Sequence, residues 1–99
     1  MGCDGNTPAL TEAEATAHAT NLAGWVLDFP KLRRVDEFAD FRKALAWVNR
    51  VGMLAEEHDH HPDFHLTGWN KVELVLYTHA IDGLSLADVE MAQRISALA

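Results

Sequence analysis

The sequence predicts an α+β domain in two layers, a four-stranded antiparallel sheet with three helices packed on one face. Three observations point to it. Seven regular segments follow one another in the order helix, strand, strand, helix, strand, strand, helix. The strand-like segments are short and joined by short turns, the pattern of hairpins and not of parallel crossovers. The central helical segment repeats its apolar residues at spacings of three and four, so it has one face to lay on a sheet.

Residues 1–9 contain Gly2, Gly5 and Pro8 and read as a disordered leader. Residues 10–99 then make a single domain, a comfortable length for one core. Thr11 as N-cap and Glu14 three residues later form a capping box, which opens a helix running to about Leu22 and closed by Gly24. Residues 25–28 read as a short strand, Phe29 and Pro30 as a turn, and residues 31–38 as a strand with imperfect alternation.

From Asp40 to about Glu57 lies the clearest helix, about 27 Å long at ~1.5 Å per residue. Its apolar face reads as Phe41, Ala44, Leu45, Val48, Val51 and Ala55. Pro62 forbids its continuation. Residues 64–69 read as a strand and Asn70 and Lys71 as a turn. Residues 71–79 are the strongest strand, with Val72, Leu74, Leu76 and Thr78 pointing one way and Glu73, Val75, Tyr77 and His79 the other. Asp82 and Gly83 form a turn. Ser85 as N-cap with Asp88 at the third helical position opens the last helix.

Composition narrows the function classes. The chain is 48% apolar and 23% charged, as soluble globular proteins are. No apolar run approaches the ~18 residues of a membrane span. A formal charge of −7 argues against nucleic-acid binding, because phosphates would be repelled. Cys3 is the only cysteine, which excludes an internal disulfide and any cysteine-based zinc or iron–sulfur site. The leader lacks the regions of a secretory signal, and Asn6 stands where a myristoylation signal needs Ser or Thr. A cytoplasmic location is the expectation. So small a core would also gain from oligomerisation.

Residues 56–65, EEHDHHPDFH, hold four of the six histidines and four carboxylates. Three readings compete. A metal site would need three or four ligands converging from fixed elements, and the run matches neither HExxH nor HxHxDH, whose aspartate falls on Pro62. A solvated charged loop accounts for single members: imidazoles after a helix C-terminus sit well in its dipole, which covers His18, His58, His65 and Glu57. Acid–base chemistry is the third reading. Imidazoles titrate near ~6.5, the range a proton shuttle at neutral pH needs, and a neighbouring carboxylate can orient one. His60 and His61 lie on a loop stiffened by Pro62, and His79 at the end of a strand. Antiparallel pairing of 64–69 with 71–79 would bring position 79 opposite roughly 61–63.

Glu56, His60, His61, Pro62, Trp69, His79 and Asp88 stand at the spacings of a signature: acid, three residues, His, His, Pro, six residues, aromatic, nine residues, His, eight residues, Asp. In this the chain resembles the pterin-4a-carbinolamine dehydratases, and the flanking NKVELVLYTH and GLSLADVEMA are also similar to that family. The likeness covers residues 10–98. Two features depart from the commoner pattern: six residues, not five, separate Pro62 from the aromatic, and that aromatic is Trp. An extra residue within a strand predicts a bulge.

The resemblance implies a four-stranded antiparallel sheet with three helices, homo-oligomers (dimers or tetramers) and no metal or organic cofactor. It implies dehydration of 4a-hydroxytetrahydrobiopterin to the quinonoid dihydropterin, which recycles the pterin spent by an aromatic amino acid hydroxylase. On this reading His60 and His79 are the acid–base pair and His61 binds the pterin and assists transfer. Glu56 and Asp59 orient imidazoles or the pterin's N–H edge. Trp69 lines the pocket or closes the sheet, Pro62 is conformational, and Asp88 is accounted for by its capping box. The alternative function is a dehydratase-like binding or assembly partner, coactivator or chaperone-like, acting through an oligomer surface. A zinc hydrolase ranks last.

Overall fold

Short apolar strands and one long amphipathic helix resolve into a single sheet with helices laid against it. The computed structural model describes residues 8–99. Its elements are α1 (Glu12–Ala19), β1 (Val26–Asp28), β2 (Lys31–Glu37), α2 (Phe41–His58), β3 (Asp63–Thr67), β4 (Lys71–Leu76), a 3₁₀ turn (His79–Ile81) and α3 (Leu86–Leu98). The strands order as β1-β2-β4-β3, every pair antiparallel. The predicted α+β architecture is the one observed. Of the expected leader, residues 1–7 lie outside the described residues, Cys3 and Asn6 among them. Leu10 already belongs to the fold, its N–H donating to the Leu84 carbonyl at 2.8 Å.

The capping box forms as the spacing predicts: Glu14 accepts from the Thr11 N–H at 2.8 Å and Thr11 Oγ1 from the Glu14 N–H at 3.2 Å. α1 nevertheless ends at Ala19, short of Leu22, with Thr20 as its C-cap. A run of turn hydrogen bonds takes over, Leu22 N–H to Ala19 and Trp25 N–H to Leu22, and drops both apolar side chains into the core. Gly24 therefore serves the turn, at φ +89°, and not the helix end.

α2 differs from its predicted face. Ala44, Trp47, Val51 and Ala55 are buried, whereas Phe41 and Leu45 are 49% and 43% exposed. The Trp47 ring sets the rotation of the helix, tilting against Phe38 and lying under the Arg34 guanidinium. The two alanines let the backbone come close to the sheet. The core then joins Leu32, Val72, Leu74 and Leu76 of the sheet to Val89, Met91 and Ile95 of α3. Each such side chain contributes about 1.5–3 kcal/mol on burial. One cation sits among them. Arg34 is gripped by Asp36 (Nε–Oδ2 2.7 Å), bonds Ser96 Oγ at 3.1 Å and lies over the Trp25 and Trp47 rings, so its largely buried charge is balanced by a carboxylate nearer the surface.

No bulge interrupts β3. Its pairing with β4 is continuous from Asp63↔Val75 to Thr67↔Lys71, and the extra residue is taken up in the turn, where Gly68 and Trp69 both adopt positive φ. β4 also stops earlier than predicted. Thr78 still pairs, but with Gly83 across a pinched loop, and His79 begins the 3₁₀ turn in place of ending a strand.

Candidate active site

The histidine-rich run is shaped by how α2 ends. Asp59 adopts the left-handed conformation (φ 50°, ψ 43°). The His60 N–H reaches back to the Ala55 carbonyl at 3.1 Å and the Asp59 N–H to Glu56 at 3.4 Å, a Schellman-type closure that satisfies the last carbonyls. The reversal sends neighbouring side chains opposite ways. His60 turns inward and is 4% exposed, while His61 and Asp59 stay at the surface. Buried Pro62 then starts the extended chain into β3.

His60 meets a carboxylate inside. Its Nε2 lies 2.6 Å from Oδ1 of Asp88, which is fully buried. The other oxygen, Oδ2, accepts from the Ser85 N–H at 2.9 Å and the Thr78 hydroxyl at 2.7 Å. The capping function read from the sequence is present, and the N-terminus of α3 favours the negative charge. The pairing with His60 was not legible from local spacing. A carboxylate only accepts, so His60 carries its proton on Nε2 and a neutral ring keeps the lone pair on Nδ1.

Alternation beyond β4 supplies the opposing wall. Leu76 and Thr78 point to the core side, while Tyr77 and His79 point to the other. The Thr78–Gly83 bridge, with N–H···O bonds of 2.8 and 3.3 Å, pinches off residues 79–82 and presents His79 exposed on the 3₁₀ turn. Extending the β3–β4 register places 77 opposite 61 and 79 opposite 59, two residues away from the expected pairing.

Asp59, His60, His61, Tyr77, Thr78, His79 and Ala80 line one cleft of about 320 Å³. The three expected catalytic histidines and Asp59 are thus gathered. Glu56 is linked to the same place through His61, whose Nε2 lies 2.5 Å from its Oε2, both side chains being largely exposed. Trp69 is not gathered. It sits 61% exposed in the turn at the far end of the hairpin, about 20 Å along a six-residue strand. Tyr77 and Thr78 escaped the sequence reading. Their signal was available in Tyr77, which shares the strand parity of His79.

Such a cleft can hold a flat polar molecule between imidazoles of different kinds, one locked by a buried carboxylate and two accessible. Among the described residues no three His, Cys, Asp or Glu side chains gather in a geometry that could hold a metal ion. No helix among them is long and apolar enough to cross a membrane.

Comparison with known proteins bears on the family and the fold. Residues 8–98 match the family model of pterin 4 alpha carbinolamine dehydratase. A protein of Rubrobacter xylanophilus, assigned provisionally to the same activity, is 45% identical over 97 residues, spanning 97% of this chain and 90% of that one. The mitochondrial pterin-4-alpha-carbinolamine dehydratase 2 of Arabidopsis thaliana is 42% identical over 91% of this chain, which spans only 50% of that longer protein. Among solved structures, a transcriptional coactivator/pterin dehydratase from Brucella melitensis superposes with a TM-score of 0.83 at 32% identity, covering 93% of this chain and 99% of that one. A pterin dehydratase-like RuBisCO assembly factor of the alpha-carboxysome superposes at 0.59 and 25% identity, over 75% of this chain and 84% of that one.

Proposed function

The chain belongs to the pterin 4 alpha carbinolamine dehydratase family, and on that premise we propose that it dehydrates 4a-hydroxytetrahydrobiopterin to the quinonoid dihydropterin. One observation carries the reading: His60, His61 and His79 line a single cleft, with His60 held by the buried carboxylate of Asp88. In the reaction the C4a–O bond breaks and water leaves with a proton from a donor imidazole. A ring N–H proton passes to an acceptor imidazole, so the pair of rings is restored in sum. His60 and His79 fill these two roles. His61, oriented by Glu56, binds the pterin, and Asp59 at the cleft's rim accepts from its N–H edge. Trp69 stands outside the chemistry, and Pro62 fixes the loop. No metal or organic cofactor enters the proposal.

The product of such a step re-enters the cycle of a pterin-consuming hydroxylase, in the cytoplasm. A homo-oligomer, dimer or tetramer, is part of the same reading. Phe41, Leu45 and Met53 stand 49%, 43% and 73% exposed at multiples of four along α2, an apolar ridge, broken once by Asn49, that a second copy would cover. That ridge also favours a second reading, a binding or assembly role, of the kind named for the RuBisCO assembly factor. The test is dehydration of 4a-hydroxytetrahydropterin generated in place by an aromatic amino acid hydroxylase. Acceleration by the wild-type protein is expected. A folded protein that gives none would hand the function to the assembly reading.

A further inference from the structure

Tyr77 has more partners than a cleft-lining residue needs. Its ring meets the His79 imidazole edge-to-face, centroids 4.8 Å apart and planes at 84°. Its hydroxyl donates to the carboxylate of Asp82, the residue that closes the 3₁₀ turn in the left-handed conformation. The Lys31 ammonium lies 5.3 Å from the ring centroid, and extending the β2–β4 register by one residue beyond Leu32↔Leu76 brings Lys31 across from it. The ring is therefore held at three points: by a cation from β2, by an anion at the end of the turn and by the imidazole itself.

His79 has a different standing from His60. It is exposed, begins a three-residue turn and is paired with no carboxylate in that turn. An exposed imidazole on so short an element samples several rotamers unless something restricts it. The contact that restricts it is the Tyr77 ring, two residues earlier on the same side of the chain. Edge-to-face aromatic contacts are directional, so the ring selects an orientation and does not merely fill space.

We propose that Tyr77 is the positioning residue for His79, clamping its imidazole at the angle from which it exchanges a proton with substrate. This rests on the dehydratase reading and adds to it a residue that lies outside the seven-residue signature. Tyr77 touches His79 and acts through it. A misplacement of a reacting group by about 1 Å can cost up to ~100-fold in rate.

The experiment is steady-state kinetics of wild type, Tyr77→Phe, Tyr77→Ala and Tyr77→Leu, with melting curves and histidine-ring NMR spectra of each. Tyr77→Ala should lower kcat at least about tenfold with KM changed less than about twofold, and should move the His79 ring resonances. Tyr77→Phe keeps the ring and should retain kcat within about threefold. Should the alanine variant fail to fold, Tyr77→Leu removes the ring while keeping bulk and must show the same kcat loss. Wild-type kcat in a ringless variant would overturn the proposal. So would a loss confined to KM, which would make Tyr77 a substrate contact, or a phenylalanine variant as slow as the alanine one. An inert wild-type protein would instead sink the dehydratase reading itself, so the two failures are distinguishable.

Discussion

His60 Nε2 lies 2.6 Å from Asp88 Oδ1, and neither side chain is open to solvent. The two residues are 28 positions apart, at the C-terminus of α2 and the N-terminus of α3, so the pair ties two helix ends as well as orienting a ring.

Replacing Asp88 should separate these two duties. Asp88→Ala strips the acceptor from His60, Thr78 and the Ser85 N–H together, and should cost about 3–5 kcal/mol in denaturant melts. Asp88→Asn keeps an oxygen for Ser85 and Thr78 but turns an amide donor toward His60, which forces the ring proton to Nδ1. The folded asparagine variant should lose at least about tenfold in kcat, with the tautomer change visible in ¹⁵N spectra. Full turnover by that variant would detach the orientation of His60 from catalysis.

His79→Ala should cut dehydration at least about tenfold with little change in the melting curve, because the side chain is exposed and its ring contact, with Tyr77, lies at the surface. His60→Ala should cut it as much and also lower the melting temperature, since Asp88 is left buried without its imidazole. Equal melting of the two variants would contradict the burial difference between them.

Part of this is legible in the sequence, and the division has a physical basis. Caps are, because Thr11 with Glu14 and Ser85 with Asp88 are local chemistry at fixed spacing. Strand parity through residues 72–78 is, because the core side is apolar up to Thr78, but the 3₁₀ turn that begins at His79 is not. The rotation of α2 is not: Phe41 and Leu45 match Ala44 and Val51 in apolarity, and only the fit of Trp47 over Arg34 decides which stripe faces inward. The extra residue before Trp69 could sit in strand or turn, and the unbroken β3–β4 register decides for the turn. Asp88 is half legible, its cap being local and its imidazole partner coming from another helix.

The apolar ridge on α2 predicts association. Light scattering should give a dimer or tetramer for the wild type, and Leu45→Glu should shift it to a smaller species by placing a charge at the centre of the ridge. A wild-type monomer would leave the ridge without its proposed partner.

Glu14 makes α1 acid-sensitive. The Thr11 backbone and hydroxyl bonds hold its carboxyl below the ordinary value of 4.5. A depressed acid adds stability at pH above that ordinary value, and the addition is lost as pH falls through the lowered one. Protection of the amides in residues 12–15, corrected for their intrinsic exchange rates, should therefore fall on acidification, and Glu14→Gln should abolish the difference.

The two ends of the β3–β4 hairpin carry opposite tolerances to insertion and deletion. At the Gly68–Trp69 end, a residue gained or lost alters an exposed turn and leaves the β3–β4 partners in place, provided Asn70 keeps its bonds to Phe38 and Glu37. At the other end, Tyr77 and Thr78 face alternate sides of the extended chain that leads into the 3₁₀ turn begun by His79. A single residue added between 72 and 77 would exchange their roles, presenting the threonine to the cleft and driving the imidazole toward Asp88. Related chains should thus vary in length at the tip while keeping an invariant count from β4 to His79, so that drift in this protein is free in one direction along the ribbon and forbidden in the other.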